Sequence, residues 1–313
     1  MADAEKGASV LDAAIAQKPR IATASAWRRQ IRELWKKGLT PGDRTGWPSL
    51  DQFYSVAEGQ LSIVTGWPSS GKSEWLDALL VNLAKQDWHF AIFSPENHPV
   101  PVHIAKLMEK IVGKPFGHGQ TERIAEAELD EVADQLGQSF AFIEAINGAV
   151  SINDVINAAM PYLSKFEGKR GLVIDPWNEL EHWRPSNLSE TEYVSQTLST
   201  VRNWARTNKI HVWIVAHPQK IKREDGKLPI PRPDMISGSQ HWWNKADCAI
   251  TVWRDFDNLD SQDVDVYVQK VRFKHIGRPG FVTLRYDRLT GRYHEKISMV
   301  PKMIARPYEG VGL

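Results

Sequence analysis

The chain has 313 residues, 42% of them hydrophobic, which is enough apolar material for one large α/β domain or two smaller ones. A net charge of +1 excludes a whole-protein attraction to nucleic acid, and the single cysteine, Cys248, excludes an intrachain disulfide and suits a reducing cytoplasm. No apolar run reaches the roughly 18 residues of a membrane span, and Met1 to Lys18 lacks the apolar centre of a signal peptide, so a soluble intracellular protein is expected.

Residues 1 to about 25 are Ala-rich and polar, with no pattern that demands a fold. From Ser25 to Trp35, the residues Trp27, Ile31, Leu34 and Trp35 fall on one helical stripe with basic residues elsewhere. That helix could pack on its own domain or be lent to a neighbouring subunit, and the sequence leaves both open. Thr40 to Gly59 is rich in Gly and Pro and reads as an ordered connection.

Leu61 to Thr65 is a short strand pattern, and Trp75, Leu76, Leu79, Leu80 and Leu83 recur at helical spacing. Between them lies Gly66-Trp67-Pro68-Ser69-Ser70-Gly71-Lys72-Ser73, which fits G-x-x-x-x-G-K-[ST] at every defined position. The bare pattern could be a Gly/Ser turn entering a helix; strand, loop and helix in this order instead predict a nucleotide site. Gly66, Ser69, Ser70 and Gly71 would let backbone N–H groups and the helix N-terminus face a phosphate. Lys72 would reach the β- and γ-phosphates, and the Ser73 hydroxyl would ligate Mg²⁺.

His89 to Ser94 is a second strand, stopped by Pro95-Glu96-Asn97-His98-Pro99. Helical patterns follow at about 101 to 113 and 121 to 137, then a possible third strand from Ser139 to Ala145 and a helix capped by Ser151 with Asp154 in its first turn. Lys169 to Asp175 is an apolar run ending in an acid, as a buried parallel strand would deliver one. Ser189 and Glu192 make a capping box for a helix to about Thr207, and the buried run Val212 to Ala216 ends at His217. Ser94, Asp175 and His217 therefore stand at strand C-termini, where open α/β sheets bind ligands.

Pro218 to Ser237 has no periodicity and carries Lys220, Lys222, Arg223, Lys227 and Arg232, the composition of a long basic loop. After Asp247 come short alternating strands, Cys248 to Trp253, Val264 to Val271, Phe281 to Tyr286 and Arg292 to Glu295, and a tail from Pro301.

A nucleotide hydrolase needs a metal carboxylate, a group that deprotonates or positions water, and a cation for transition-state charge. Asp175 suits the metal role, its alternative being an Asp that starts a turn before Pro176. Glu96 could be the general base or a helix N-terminal glutamate, and His217 a γ-phosphate contact or a structural histidine. Lys270 and Arg272 share one face of a strand, and on pattern alone they read first as solvated charge.

Taken in order, the phosphate loop, Phe93 to Asn97, Val173 to Asn178, Ala216 to Lys220, Ser237-Gly238-Ser239 through Ala246-Asp247, and Lys270 to Phe273 resemble the DnaB-like hexameric replicative helicases. The likeness, from about Gly46 to Glu295, is nearest to the helicase half of phage primase-helicases and of the mitochondrial helicase Twinkle. It implies a RecA-like P-loop ATPase core: a mostly parallel central sheet flanked by helices, with C-terminal antiparallel strands. Residues 1–45 would be a linker with a subunit-docking helix at about 25–37, residues 46–300 the motor and 301–313 a tail.

The resemblance also implies roles. Lys72 and Ser73 would bind phosphate and Mg²⁺, Glu96 would be the catalytic base, Asp175 the acid of the second nucleotide motif, and His217 the γ-phosphate sensor. Lys270 and Arg272 would reach into a neighbour's site, Arg272 as the finger. Arg254 and Tyr286 match positions that sandwich the base, although one extra residue between Arg272 and Tyr286 departs from the relatives. Lys220, Lys222, Arg223 and Lys227 would contact the backbone of single-stranded DNA in a central channel. The implied activity is an ATP- or other NTP-driven ring, hexameric in the family, moving 5′ to 3′ in the cytoplasm of a bacterium or phage-infected cell, with a primase or loader as possible partner. No primase module precedes the motor pattern, so the chain reads as a stand-alone motor or as the helicase part of a longer protein. The competing expectation is a RecA-like assembly or recombination protein that uses ATP as a switch without unwinding, and a nucleotide kinase ranks below it.

Overall fold

The computed structural model describes residues 21–145, 148–219, 228–236, 240–258 and 260–296. Among them, nine strands form one sheet in the order β3-β2-β4-β5-β1-β6-β7-β8-β9. The first six are parallel: β1 (Leu61–Thr65), β2 (His89–Phe93), β3 (Phe140–Ile143), β4 (Arg170–Ile174), β5 (Ile210–Val215) and β6 (Cys248–Trp253). The last three are antiparallel: β7 (Asp263–Val271), β8 (Gly280–Tyr286) and β9 (Tyr293–Glu295). The expected RecA-like α/β architecture is what folds.

Alternation along the parallel strands feeds two cores, one on each face. On β2, Phe90 and Ile92 point to one cluster while Ala91 and Phe93 point to the other. The first face is covered by α3 (Lys72–Ala84), α4 (Val100–Val112) and α5 (Glu126–Ser139), through residues such as Leu79, Leu107 and Leu136. The second is covered by α6 (Ile152–Leu163), α7 (Glu190–Asn208) and the short α8 (His241–Lys245), through Val155, Leu198 and Trp242. Trp75, Trp88, Trp204, Trp213 and Trp242 are fully buried, so tryptophan here is mainly core material.

Helix starts follow the expected chemistry: Ser151 Oγ accepts from Asp154 N, and Ser189 Oγ from Glu192 N. One boundary differs. Residues 121–125 are not helical, because the Ala125 N–H is capped by Glu128 and the Ile124 N–H donates to the Pro115 carbonyl, so α5 starts at Glu126. The 40–59 connection is ordered, containing α2 (Pro48–Asp51) and a bridge between Asp43 and Val56.

The N-terminal helix α1 (Arg28–Lys37) contributes no buried residue, and Trp35 is 83% exposed. Its apolar stripe does not pack into this chain's core. No helix among the described residues is long and apolar enough to cross a membrane.

Candidate nucleotide site at the strand C-termini

β1 delivers the chain at Thr65 and α3 starts at Lys72, so the phosphate loop spans the gap between a buried strand and a buried helix. The loop turns through left-handed backbone at Ser69 (φ 63°) and Gly71 (φ 89°). At Gly71, the N-cap of α3, glycine adopts that conformation without the strain a side chain would bring. The Ser70 hydroxyl is buried in the loop and has no hydrogen-bond partner among the described residues. A phosphate oxygen in the loop would satisfy it, so the cradle fits the anion expected there.

Lys72 is 5% exposed, and its ammonium donates to the carbonyls of Gly66 and Trp67 at 3.0 Å each. Burial pulls its pKa down to about 8, opposed by the charges of Asp175 and Glu96. Asp175 follows β4, next but one to β1 in the sheet, and is also 5% exposed. Burial raises its carboxyl to about 6, while a hydrogen bond from Ser73 works the other way. Ser73 hydroxyl and Asp175 carboxylate are thus in contact. One hydroxyl and one carboxylate, completed by phosphate oxygens and water, form the sparse hard-oxygen set that Mg²⁺ accepts.

Glu96 leaves the end of β2 with its side chain 51% exposed, and its Oε1 lies 3.8 Å from His217 Nε2. His217 follows β5; burial and then the charge of Lys72 push its pKa down to about 4, so the imidazole beside Glu96 is neutral. The His217 N–H donates to Asn178 Oδ1 at 3.4 Å. Ends of four adjacent strands, β2, β4, β5 and β1, therefore bring Glu96, Asp175, His217 and the loop to one edge.

Beside the loop is a cavity of about 530 Å³ lined by Ser69, Ser70, Gly71, Glu74, Arg254 and Tyr286, among others. Arg254 and Tyr286 thus line one pocket despite the extra residue in their register. The sequence reading missed Arg288 and Tyr293 in the same wall. The Tyr293 ring is tilted against that of Tyr286, with centroids 5.1 Å apart, and its hydroxyl donates to the Gly71 carbonyl at 3.4 Å. A strand pattern shows that such residues exist but not which hairpin closes over the loop.

Lys270 and Arg272 are not at this edge. β7 runs antiparallel to β6, so its end pairs Val271 with Cys248, which is opposite Ser62 at the start of β1. The four residue steps from Ser62 to Gly66 separate them from their own loop by about 13 Å along the strand. Arg272 Nε lies 2.9 Å from Asp247 Oδ1, and its Nη2 donates to the carbonyls of Asn244 (2.9 Å) and Ala246 (3.1 Å). Asp247 is fully buried and also meets Arg202 and Arg206 at 3.0 Å each, a cluster with no signal in the spacing of the sequence. Lys270 donates to the Trp243 carbonyl at 2.5 Å, and burial followed by Arg272 lowers its pKa to about 8. Lys220, Lys222, Arg223, Lys227 and the Ser237-Gly238-Ser239 motif lie outside the described residues.

A phosphate loop, an acid at the end of β4 and a glutamate at the end of β2, on a parallel sheet extended by antiparallel strands, define a RecA-like P-loop ATPase core. The family model for the DnaB-like helicase C terminal domain matches residues 42–295, and the chain belongs to that family. It is 43% identical over 262 residues to the Twinkle homolog protein, chloroplastic/mitochondrial, of Arabidopsis thaliana, a match covering 81% of this chain and 36% of that protein. The chain thus spans about a third of that curated relative's length. Two solved structures share its fold, each with a TM-score of 0.71 over 88% of this chain: an ATPase domain, at 17% identity and covered in full, and a DnaB-like replicative helicase studied with primase, at 18% identity and 68% covered.

Proposed function

We propose that this chain is the motor of a ring-forming DNA helicase that hydrolyses ATP or another NTP and moves along single-stranded DNA, 5′ to 3′ as in its family. The observation that carries the proposal is the separation of the two halves of the site. Loop, Glu96, Asp175 and His217 occupy one edge of the sheet, whereas Arg272 is at the other and cannot serve its own loop.

Lys72 and the loop N–H groups hold the triphosphate, and a magnesium ion held by Ser73 and Asp175 would screen its charge. Glu96 accepts a proton from the water that attacks the γ-phosphorus, and the bond to the β,γ-bridging oxygen breaks, leaving the diphosphate and inorganic phosphate. His217, neutral and 3.8 Å from Glu96, contacts the γ-phosphate side of that water. Arg272 and Lys270 of a neighbouring copy supply transition-state charge in trans, released from the backbone carbonyls they now hold. Arg254 and Tyr286 enclose the base.

In the assembly, α1 within residues 1–45 docks its exposed stripe on the adjacent motor (46–300), and the basic residues between 218 and 237, several of them outside the described residues, meet the DNA backbone. Contacts of Lys220, Lys222, Arg223 and Lys227 with phosphates carry no sequence information, which suits a motor and makes binding weaken as salt rises. A primase or loader is the natural partner class, since one structural relative was studied with primase. With a chloroplastic or mitochondrial relative, an organelle joins the bacterial or phage-infected cytoplasm as a setting for this activity.

Strand displacement on a forked substrate tests the proposal. ATP-dependent release of the labelled strand by the assembled protein is expected; DNA-stimulated hydrolysis with no displacement by any assembled form would favour the ATP-switched assembly protein instead.

A further inference from the structure

The turn that presents Glu96 is tied to the helix that begins at the phosphate loop by a chain of side chains that the hydrolytic scheme does not use. Glu74 stands in the first turn of α3, two residues beyond Lys72. Its Oε1 lies 3.2 Å from Lys106 Nζ and its Oε2 lies 2.5 Å from Lys110 Nζ, both lysines coming from α4. Lys110 is 3% exposed, so the Glu74 carboxylate is fixed against a buried cation. The Lys106 ammonium also donates to Asn97 Oδ1 at 3.0 Å. Asn97 Nδ2 then donates to Ser94 Oγ at 2.9 Å, and Asn97 N–H to the Ser94 carbonyl at 3.1 Å. Those two bonds close the turn Ser94-Pro95-Glu96-Asn97 around Glu96 itself.

Glu96 is half exposed, with His217 3.8 Å away, too long for a hydrogen bond that would fix its direction. An exposed glutamate on a turn is a poor general base unless something sets where its carboxylate points, because misplacement by about 1 Å costs orders of magnitude in rate. The rigid reference with the right coordinates is the phosphate loop and its helix. We propose that Glu74, Lys106 and Asn97 are positioning residues for Glu96, mounting the base on α3 so that carboxylate and bound γ-phosphate keep one geometry. Lys110 anchors the loop-side end, and α4 is the strut. Arg292 holds the same end of that strut, donating to the Lys110 and Ile111 carbonyls at 2.7 Å each.

The inference rests on Glu96 being the base, and the test separates the two. In the full chain with single-stranded DNA, Lys106→Met keeps the length of the side chain and removes its charge and donors. Expected are a kcat for ATP hydrolysis reduced about tenfold, a KM and a fluorescent-nucleotide Kd within about twofold of the parent, and partial recovery in Lys106→Arg. In a Glu96→Gln background, Lys106→Met should cost nothing further. Asn97→Ala, which removes a smaller group, should give the same pattern and covers the case in which Lys106→Met does not fold. Equal losses in the parent and Glu96→Gln backgrounds, or a kcat drop matched by weaker nucleotide binding, would overturn the relay and leave the base in place. Parental hydrolysis by Glu96→Gln would overturn the base, and the relay with it.

Discussion

His211 is a histidine the fold has locked in one charge state. Its Nδ1 is 2.6 Å from the Ala57 carbonyl, which can only accept, so Nδ1 carries the proton and Nε2 accepts from Ser62 Oγ at 2.8 Å. Ser62 in turn accepts from the Tyr54 hydroxyl at 3.2 Å. Burial lowers the His211 pKa to about 4. Between that value and an unfolded pKa near 6.5 the unfolded chain binds the extra proton, so this contribution to stability is complete above about pH 6.5 and is lost as pH falls toward 4. Urea unfolding should show about 2 kcal/mol less stability at pH 5 than at pH 7 from this group alone, and His211→Gln should flatten that slope. An unchanged slope in the variant would show that other groups dominate acid unfolding. Buried histidine of this kind was not legible in the sequence, where His211 is one more residue in an apolar run. Lys72, Ser73, Asp175 and His217 were legible, because a phosphate loop and the last residue of a buried run mark strand ends by position alone. What the sequence could not say was how much each would be desolvated, since Lys72 and Asp175 are each only 5% exposed in the folded chain and spacing does not report burial.

At the level of elements, the strands were readable because apolar runs of five or six residues leave few alternatives, and the capping boxes at Ser151 and Ser189 marked two helix starts to the residue. The α4 strut was not. Lys106 and Lys110 look like solvated charge at helical spacing, and only the packing of α4 on α3 turns Lys110 inward. The α1 stripe stood open between two uses, and its exposure removes the first: Ile31 is 52% and Leu34 51% exposed, so neither serves this chain's core. If α1 docks on a neighbour, Ile31→Glu with Trp35→Glu should shift the particle toward monomer in sedimentation while leaving the thermal midpoint of the monomer unchanged. A ring that persists with both charges buried would mean that the stripe does not form the interface. Lys270 and Arg272 were ambiguous for a different reason: period-two alternation gives a shared face but not which edge of the sheet the strand end reaches. That edge follows only from the reversal of β7 against β6.

For the molecule as a whole, one sheet has two working edges. The C-terminal edge carries the phosphate loop together with Glu96, Asp175 and His217. The N-terminal edge holds Arg272, drawn together with Arg202 and Arg206 around the single carboxyl group of Asp247, so three guanidinium groups share one acidic partner. In the proposed assembly, a heterologous contact that sets the second edge of one copy against the first edge of the next would close into a ring and complete every site at once. The most direct measurement is hydrolysis by mixed rings. Lys72→Ala subunits carry an intact finger, Arg272→Ala subunits an intact loop, and each alone should be inactive with nucleotide binding kept in Arg272→Ala. Mixed in equal amounts with single-stranded DNA, they should recover up to about a quarter of parental hydrolysis, since about one interface in four pairs an intact loop with an intact finger. Hydrolysis at the parental rate by Arg272→Ala alone, or no recovery in mixed rings shown to assemble, would contradict a site shared between neighbours.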